Sequence, residues 1–268
     1  MKLSEIVIPP SNFLIYGAPG CGKTAFVCTL GKYAEVYDFD RGLETCLHLN
    51  DKYKSIRAEI DVANVYYDLD LSNPRQWVKF KNDIYTKTLP GIKNGKYKNK
   101  FIIIDSLTRM FDHALFFVMK ASGKVLTGEQ LPKVELQHWL LAFNEIKAVV
   151  GALCAADTSI VLTAHRNKVF EGEGNAARRY IELGVSGRNM QDWMAAQFSE
   201  FWHMYVSEVG QGKLAYKLQT KQSPTAEARS RLGVEDRVDV SQVGFLELIS
   251  RYGVYTDLAK EQARQLAS

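Results

Sequence analysis

One segment constrains this chain more than any other: Gly17-Ala18-Pro19-Gly20-Cys21-Gly22-Lys23-Thr24 matches the pattern G-x-x-x-x-G-K-[ST] in full. The apolar run Asn12-Phe13-Leu14-Ile15-Tyr16 precedes it and reads as a buried strand of a parallel sheet. A helix is predicted over residues 23–32 behind it. Strand, glycine loop and helix N-terminus form the layout in which successive main-chain N–H groups cradle phosphate oxygens. Gly17, Pro19, Gly20, Cys21 and Gly22 supply that cradle. Lys23 reaches the β- and γ-phosphates, and Thr24 ligates magnesium. The cofactors implied are ATP and Mg²⁺. Cys21 reads as a small filler side chain of the loop.

The rest of the chain alternates strand-like and helix-like segments. Residues 35–40 and 62–71 read as further strands, and Asn73-Pro74 as a helix start with asparagine capping. Residues 90–100 read as a basic, polar loop. Phe101-Ile102-Ile103-Ile104-Asp105 and Ser159-Ile160-Val161-Leu162-Thr163-Ala164 are buried strands, and an amphipathic helix precedes the second. Residues 166–188 are polar, basic and without clear periodicity. Two or three strands around 202–207 and 213–221 suit a hairpin at the sheet edge. The fold class expected is α/β: a mostly parallel central sheet with helices on both faces and a C-terminal antiparallel extension. Residues 1–240 form the core in this reading, and 241–268 a helical segment packed on it.

A chain of 268 residues with 46% hydrophobic content builds such a core without disulfides. Cys21, Cys28, Cys46 and Cys154 form no C-x-x-C pair, so they are expected to be free thiols in a reducing cytoplasm. No signal peptide or bilayer-spanning stretch is expected, hence no membrane partner. A net charge of +4 permits local basic patches without demanding them.

Asp105 ends its apolar strand and delivers a carboxylate to the magnesium shell beside Thr24. Ser106 follows, so no glutamate stands next to it to act as the catalytic base. The base is sought in Asp38, Asp40 or Glu44, after the second strand. Strand alternation sets Asp38 and Asp40 on one side, at the ligand-binding end of an open sheet. Asp40 is the favoured choice.

This order of parts resembles the RecA-core ATPases, with a RecA-like P-loop NTPase fold implied. Val36-Tyr37-Asp38-Phe39-Asp40 is similar to the RecA segment ending in the catalytic glutamate, which implies that role for Asp40. Ile160-Val161-Leu162-Thr163-Ala164-His165 resembles the strand ending in a γ-phosphate sensor, here His165. More narrowly, the chain looks like phage-encoded RecA-core ATPases of the single-strand annealing type. The residues that carry this are 38–44, Thr163-Ala164-His165, 183–188 and Lys217-Leu218-Gln219-Thr220-Lys221. The resemblance implies DNA-stimulated, Mg-dependent ATP hydrolysis, single-stranded DNA as partner, a homo-oligomer and the host cytoplasm. A single-strand-binding protein is a natural further partner. It places DNA contacts after the sensor strand, on Arg166, Lys168, Arg178, Arg179 and Arg188, with Phe170 and Tyr180 between them for stacking. The lysine-rich stretch 93–100 with Tyr97 is a second candidate. Lys221 matches the lysine finger donated to a neighbouring subunit's site. Two other classes remain open on the residues alone: a nucleotide-dependent protein-binding switch or scaffold without DNA, and a small-molecule kinase.

Overall fold

The computed structural model describes residues 10–48, 51–68, 74–124, 133–171, 178–185 and 188–267. Strand β1 (Phe13–Gly17) leads through the glycine loop into helix α1 (Lys23–Cys28). Then come β2 (Ala34–Asp38), β3 (Asp61–Val65), α2 (Gln76–Asp83), α3 (Leu89–Lys93), β4 (Phe101–Asp105), α4 (Leu107–Ala121) and α5 (Leu136–Cys154). A long strand β5 (Ser159–Glu171), β6 (Arg178–Leu183), α6 (Arg188–Gln197), β7 (Glu200–Glu208), β8 (Leu214–Gln219), β9 (Arg229–Ser230) and β10 (Arg237–Asp239) follow. Helices α7 (Phe245–Ser250) and α8 (Thr256–Ala267) close the chain's described part.

The sheet runs β10-β8-β7-β1-β5-β4-β2-β3. The six strands from β7 to β3 are mutually parallel, while β8 and β10 add antiparallel pairs at the edge. Period-two alternation explains why both faces are covered. Leu14, Tyr16, Ile102, Ile104, Ile160 and Leu162 face one layer, with α2, α4, α5 and α6. Phe13, Ile15, Phe101, Ile103, Val161 and Trp202 face the other, with α1, α7 and α8. The Phe245 ring packs on Phe13 at 5.0 Å, Phe26 at 5.4 Å and Phe101 at 5.8 Å. The C-terminal helices thus share an apolar cluster with the sheet. Among the described residues, no helix is long and apolar enough to cross a membrane.

Several expectations are corrected here. Helix α1 stops at Cys28, and a 3₁₀ turn over Gly31–Tyr33 takes the place of its predicted end. Strand β2 ends at Asp38, and β3 at Val65, both shorter than predicted. The first N–H groups of the α2 segment, those of Arg75 and Gln76, go to the Asp68 carboxylate; Asn73 lies outside the described residues. The basic loop at 90–100 begins as α3 instead, with Pro90 in its first turn, where a missing N–H costs nothing. Residues 166–171 continue β5 and pair antiparallel with β6, so this stretch is a hairpin, not an irregular loop. Two cysteines are not free: Cys28 and Cys46 form a disulfide with Cα atoms 6.1 Å apart, joining α1 to the 3₁₀ segment Gly42–His48. The spacing argument for four free thiols fails because the two residues, 18 apart in sequence, meet in one cluster where the 3₁₀ segment packs on α1, a contact that no spacing motif records.

Candidate nucleotide site

The glycine loop turns tightly between β1 and α1. Gly22 has φ 91°, which L side chains rarely adopt. A Cβ there would also stand 2.9 Å from the Tyr216 ring. A Cβ on Gly17 would meet the Met204 carbonyl oxygen at 2.1 Å. Lys23 is buried, and its ammonium donates to the carbonyls of Gly17 at 3.2 Å and Ala18 at 2.9 Å. Thr24 Oγ1 donates to Asp105 Oδ2 at 2.9 Å, and the Thr163 hydroxyl donates to the other oxygen of the same carboxylate. The expected neighbours Thr24 and Asp105 are therefore adjacent. Burial pushes the Asp105 carboxyl up, against the pull of both hydroxyls. Mg²⁺ takes hard oxygen ligands, often one or two from protein with phosphates and waters supplying the rest. A threonine hydroxyl beside a buried carboxylate fits that ion.

The three candidate bases separate by geometry. Asp40 lies just past β2, and its N–H donates to Asp105 O at 3.1 Å and Asp38 Oδ1 at 3.0 Å. Its carboxylate lines a cavity of about 820 Å³ shared with Gly20, Lys23, Thr24, Asp105 and His165. His165 Nε2 stands 3.1 Å from Asp40 Oδ2, and Arg109 Nε donates to Oδ1 at 3.3 Å. These two partners hold the Asp40 carboxyl below its ordinary range, the His165 hydrogen bond foremost, with the Arg109 guanidinium adding to it. Asp38 instead turns into the chain: buried, it accepts the N–H of Asp40, and those of Arg41 and Gly42 also favour its charged form. Burial and the Asp105 charge still push its pKa up to about 6. Alternation no longer applies past Asp38, which is why the two aspartates do not share a role. Glu44 is exposed and does not line the cavity.

Four contributors were not singled out from the sequence. Arg109, one turn after Asp105, reaches Asp40; Thr108 Oγ1 accepts the His165 N–H at 3.0 Å. Thr163 braces Asp105. Tyr216 joins Phe26, Tyr53, Val240 and Val243 at the apolar end of the cavity, which suits a planar base. Arg109 and Thr108 were legible as the first exposed turn behind Asp105; Tyr216 comes from a distant hairpin and carries no local signal. Ser106 caps α4 through Arg109 N and sits 3.5 Å from Asp40.

Other predicted residues lie apart. Lys221 is exposed, paired with Asp236 and outside the cavity of its own chain. Arg166 and Lys168 lie on the extended part of β5, and Arg178 and Arg179 stand opposite Glu171 and Phe170 in the hairpin register. Arg188 opens α6. The side chains of Arg178, Arg179, Arg188, Phe170 and Tyr180 lie outside the described residues. The second candidate stretch does not offer a stacking ring: Tyr97 is buried and donates to Glu35 at 2.7 Å. Lys96 and Lys100 are engaged with Glu35 and Asp61.

No curated protein matches the chain. Among solved structures, the flagellar accessory protein FlaH from Methanocaldococcus jannaschii is similar at 12% identity, with 87% of this chain and 85% of that chain covered and a TM-score of 0.42. A family model described as an AAA domain matches residues 10–232 and includes every residue of the cavity that carries phosphate-loop chemistry. That match spans well over half of the sequence, and the chain belongs to the AAA domain family of P-loop ATPases.

Proposed function

We propose that this ATPase hydrolyses Mg-ATP and uses the cycle on single-stranded DNA, in recombination or annealing. One observation carries the reading: β5 is a single strand that passes from His165, in the nucleotide cavity, straight into a hairpin bearing Arg166 and Lys168. A change at the γ-phosphate end has a rigid path to a basic surface, with no loop between to absorb it.

Within the cavity, Lys23 and the loop amides bind the triphosphate, and Tyr216 with its apolar neighbours receives the base. Thr24 and Asp105 would hold Mg²⁺, which spreads the charge of the transferred phosphoryl group. Asp40 orients the attacking water. Its lowered pKa keeps it ionised at neutral pH, so it serves by charge and position first. His165, its main-chain N–H held by Thr108 and its Nε2 3.1 Å from Asp40, would serve as γ-phosphate sensor by moving its one N–H from the Asp40 carboxylate to the phosphate. Lys221 would complete the site of a neighbouring copy in a homo-oligomer, and turnover then depends on protein concentration. Work in the cytoplasm of a phage-infected host, beside a single-strand-binding protein, follows from the phage RecA-core resemblance alone.

The test is Mg-ATP turnover with and without an oligothymidylate. Stimulation, together with retention on a single-stranded DNA column that weakens steeply with salt, is the expected result. Unchanged turnover with no retention at low salt points to the switch or scaffold reading instead.

A further inference from the structure

A second cavity, of about 480 Å³, adjoins the nucleotide cavity at the same end of the sheet. Alternation along two strands separates them. On β5, His165 lines the nucleotide cavity and its neighbour Arg166 lines the second. On β7, Met204 lines the first, His203 and Tyr205 line the second, and Val206 at the strand's outer end reaches the second as well. Pro19 and Gly20 of the phosphate loop are walls of both.

Its chemistry selects an anion. Arg166 and Arg237 supply two guanidinium groups, and among the described residues no carboxylate lines the cavity. Neither arginine side chain is ion-paired or hydrogen-bonded among the described residues. His203 is 3% exposed; its ring faces the Gln219 side chain, which favours the charged form, yet neither ring nitrogen has a partner at full hydrogen-bond distance and angle. A buried imidazole left without full partners costs free energy, so such a group in a cavity wall points to a ligand. Gln219, opposite it on β8, already spends its amide hydrogens on the carbonyls of Lys221 and Ala226. Burial pushes the His203 pKa down to about 4, so at neutral pH the ring offers one donor and one acceptor. Tyr205 stacks on it with ring centroids 5.6 Å apart and presents a flat surface beside the cations.

We propose that this cavity seats one nucleotide of a single strand, its phosphate on Arg166 and Arg237, its sugar or base edge on His203. The proposal rests on the single-strand reading above and adds the place and the coupling. A strand seated here presses on the reverse side of the Pro19–Gly20 wall, so strand and nucleotide affect each other's binding reciprocally.

The experiment is fluorescence anisotropy of a fluorescein-labelled oligothymidylate across a salt series, with the whole chain. Arg237→Ala is expected to weaken binding about ten- to hundredfold, as loss of a charged hydrogen bond does. It should also lower the slope of log affinity against log salt by about 0.7. Arg237→Lys should restore the slope, and Lys260→Ala, an exposed charge on α8 that lines neither cavity, should change neither. His203→Phe, checked for folding by circular dichroism, should weaken binding without altering the slope. If the wild type binds and Arg237→Ala binds with the same affinity and slope, the cavity is not the seat, and the single-strand reading stands. If the wild type fails to bind at low salt, that reading falls and takes this ligand with it.

Discussion

Replacing Asp40 by asparagine removes a charge and little else. The amide keeps an oxygen for either Arg109 or His165, and the main-chain bonds that place residue 40, to Asp105 O and Asp38 Oδ1, do not involve its side chain. The Arg109 pair is half exposed and contributes at most about 1 kcal/mol, so the fold should hold. Removing the group that orients or deprotonates the attacking water costs about 10²- to 10⁴-fold in rate. At about 1.4 kcal/mol per tenfold, that is about 3–5 kcal/mol of transition-state stabilisation. Single-turnover hydrolysis of ATP, with binding measured separately by calorimetry, reads the two quantities apart. The expected result is a kcat reduced at least a hundredfold with ATP affinity within a few-fold of wild type. Glu44→Gln should leave both unchanged, since Glu44 lies outside the cavity. An Asp40→Asn enzyme turning over within threefold of wild type refutes the assignment. So would a Glu44→Gln enzyme that is inactive but folded.

Other consequences are as direct. Gly22→Ala imposes a φ of 91° on an L residue and drives its Cβ into the Tyr216 ring, so nucleotide affinity should fall at least tenfold by calorimetry. Thr163→Val leaves one oxygen of the buried Asp105 carboxylate without its donor, a loss of about 1–3 kcal/mol in urea unfolding. The Cys28–Cys46 bridge closes a loop with a sequence separation of 18, which stabilises the oxidised chain by about 3 kcal/mol on chain-entropy grounds. Adding reductant should therefore lower the urea midpoint of the wild type and leave that of Cys46→Ser where it is. His203 takes up a proton near pH 6.5 when unfolded but only near pH 4 when folded, so the unfolded chain binds more protons between these values. Stability is full above the unfolded pKa and declines as pH falls through this window, by about 2–4 kcal/mol from this residue. His203→Phe should flatten that part of the urea-midpoint profile measured from pH 7 to pH 4.

What could be read in the sequence, and what could not, divides along the range of the interaction that fixes each residue. The phosphate loop is a local object: its glycines act through the backbone, and its lysine and threonine through their side chains, all within eight positions. Asp105 was legible for a related reason, because an apolar strand in a parallel sheet delivers its last residue to the sheet's carboxyl end whatever the rest of the chain does. Asp38 and Asp40 mark where this stops. Alternation gives them one side, but β2 ends at Asp38, and the carboxylate turns back to accept main-chain N–H groups, leaving only Asp40 for the cavity. No spacing rule encodes a strand's last residue. The hairpin of β5 and β6 was missed because antiparallel pairing of Arg166 with Leu183 is a contact between segments, and charged residues mask the pattern within each. Tyr216, His203 and Arg237 are further cases: each reaches its cavity from the β7, β8 and β10 end of the sheet, whose order is set by pairing between strands. Motif residues bind what every relative of this loop binds. The residues that no motif reaches come from strands that only the assembled sheet brings to the site.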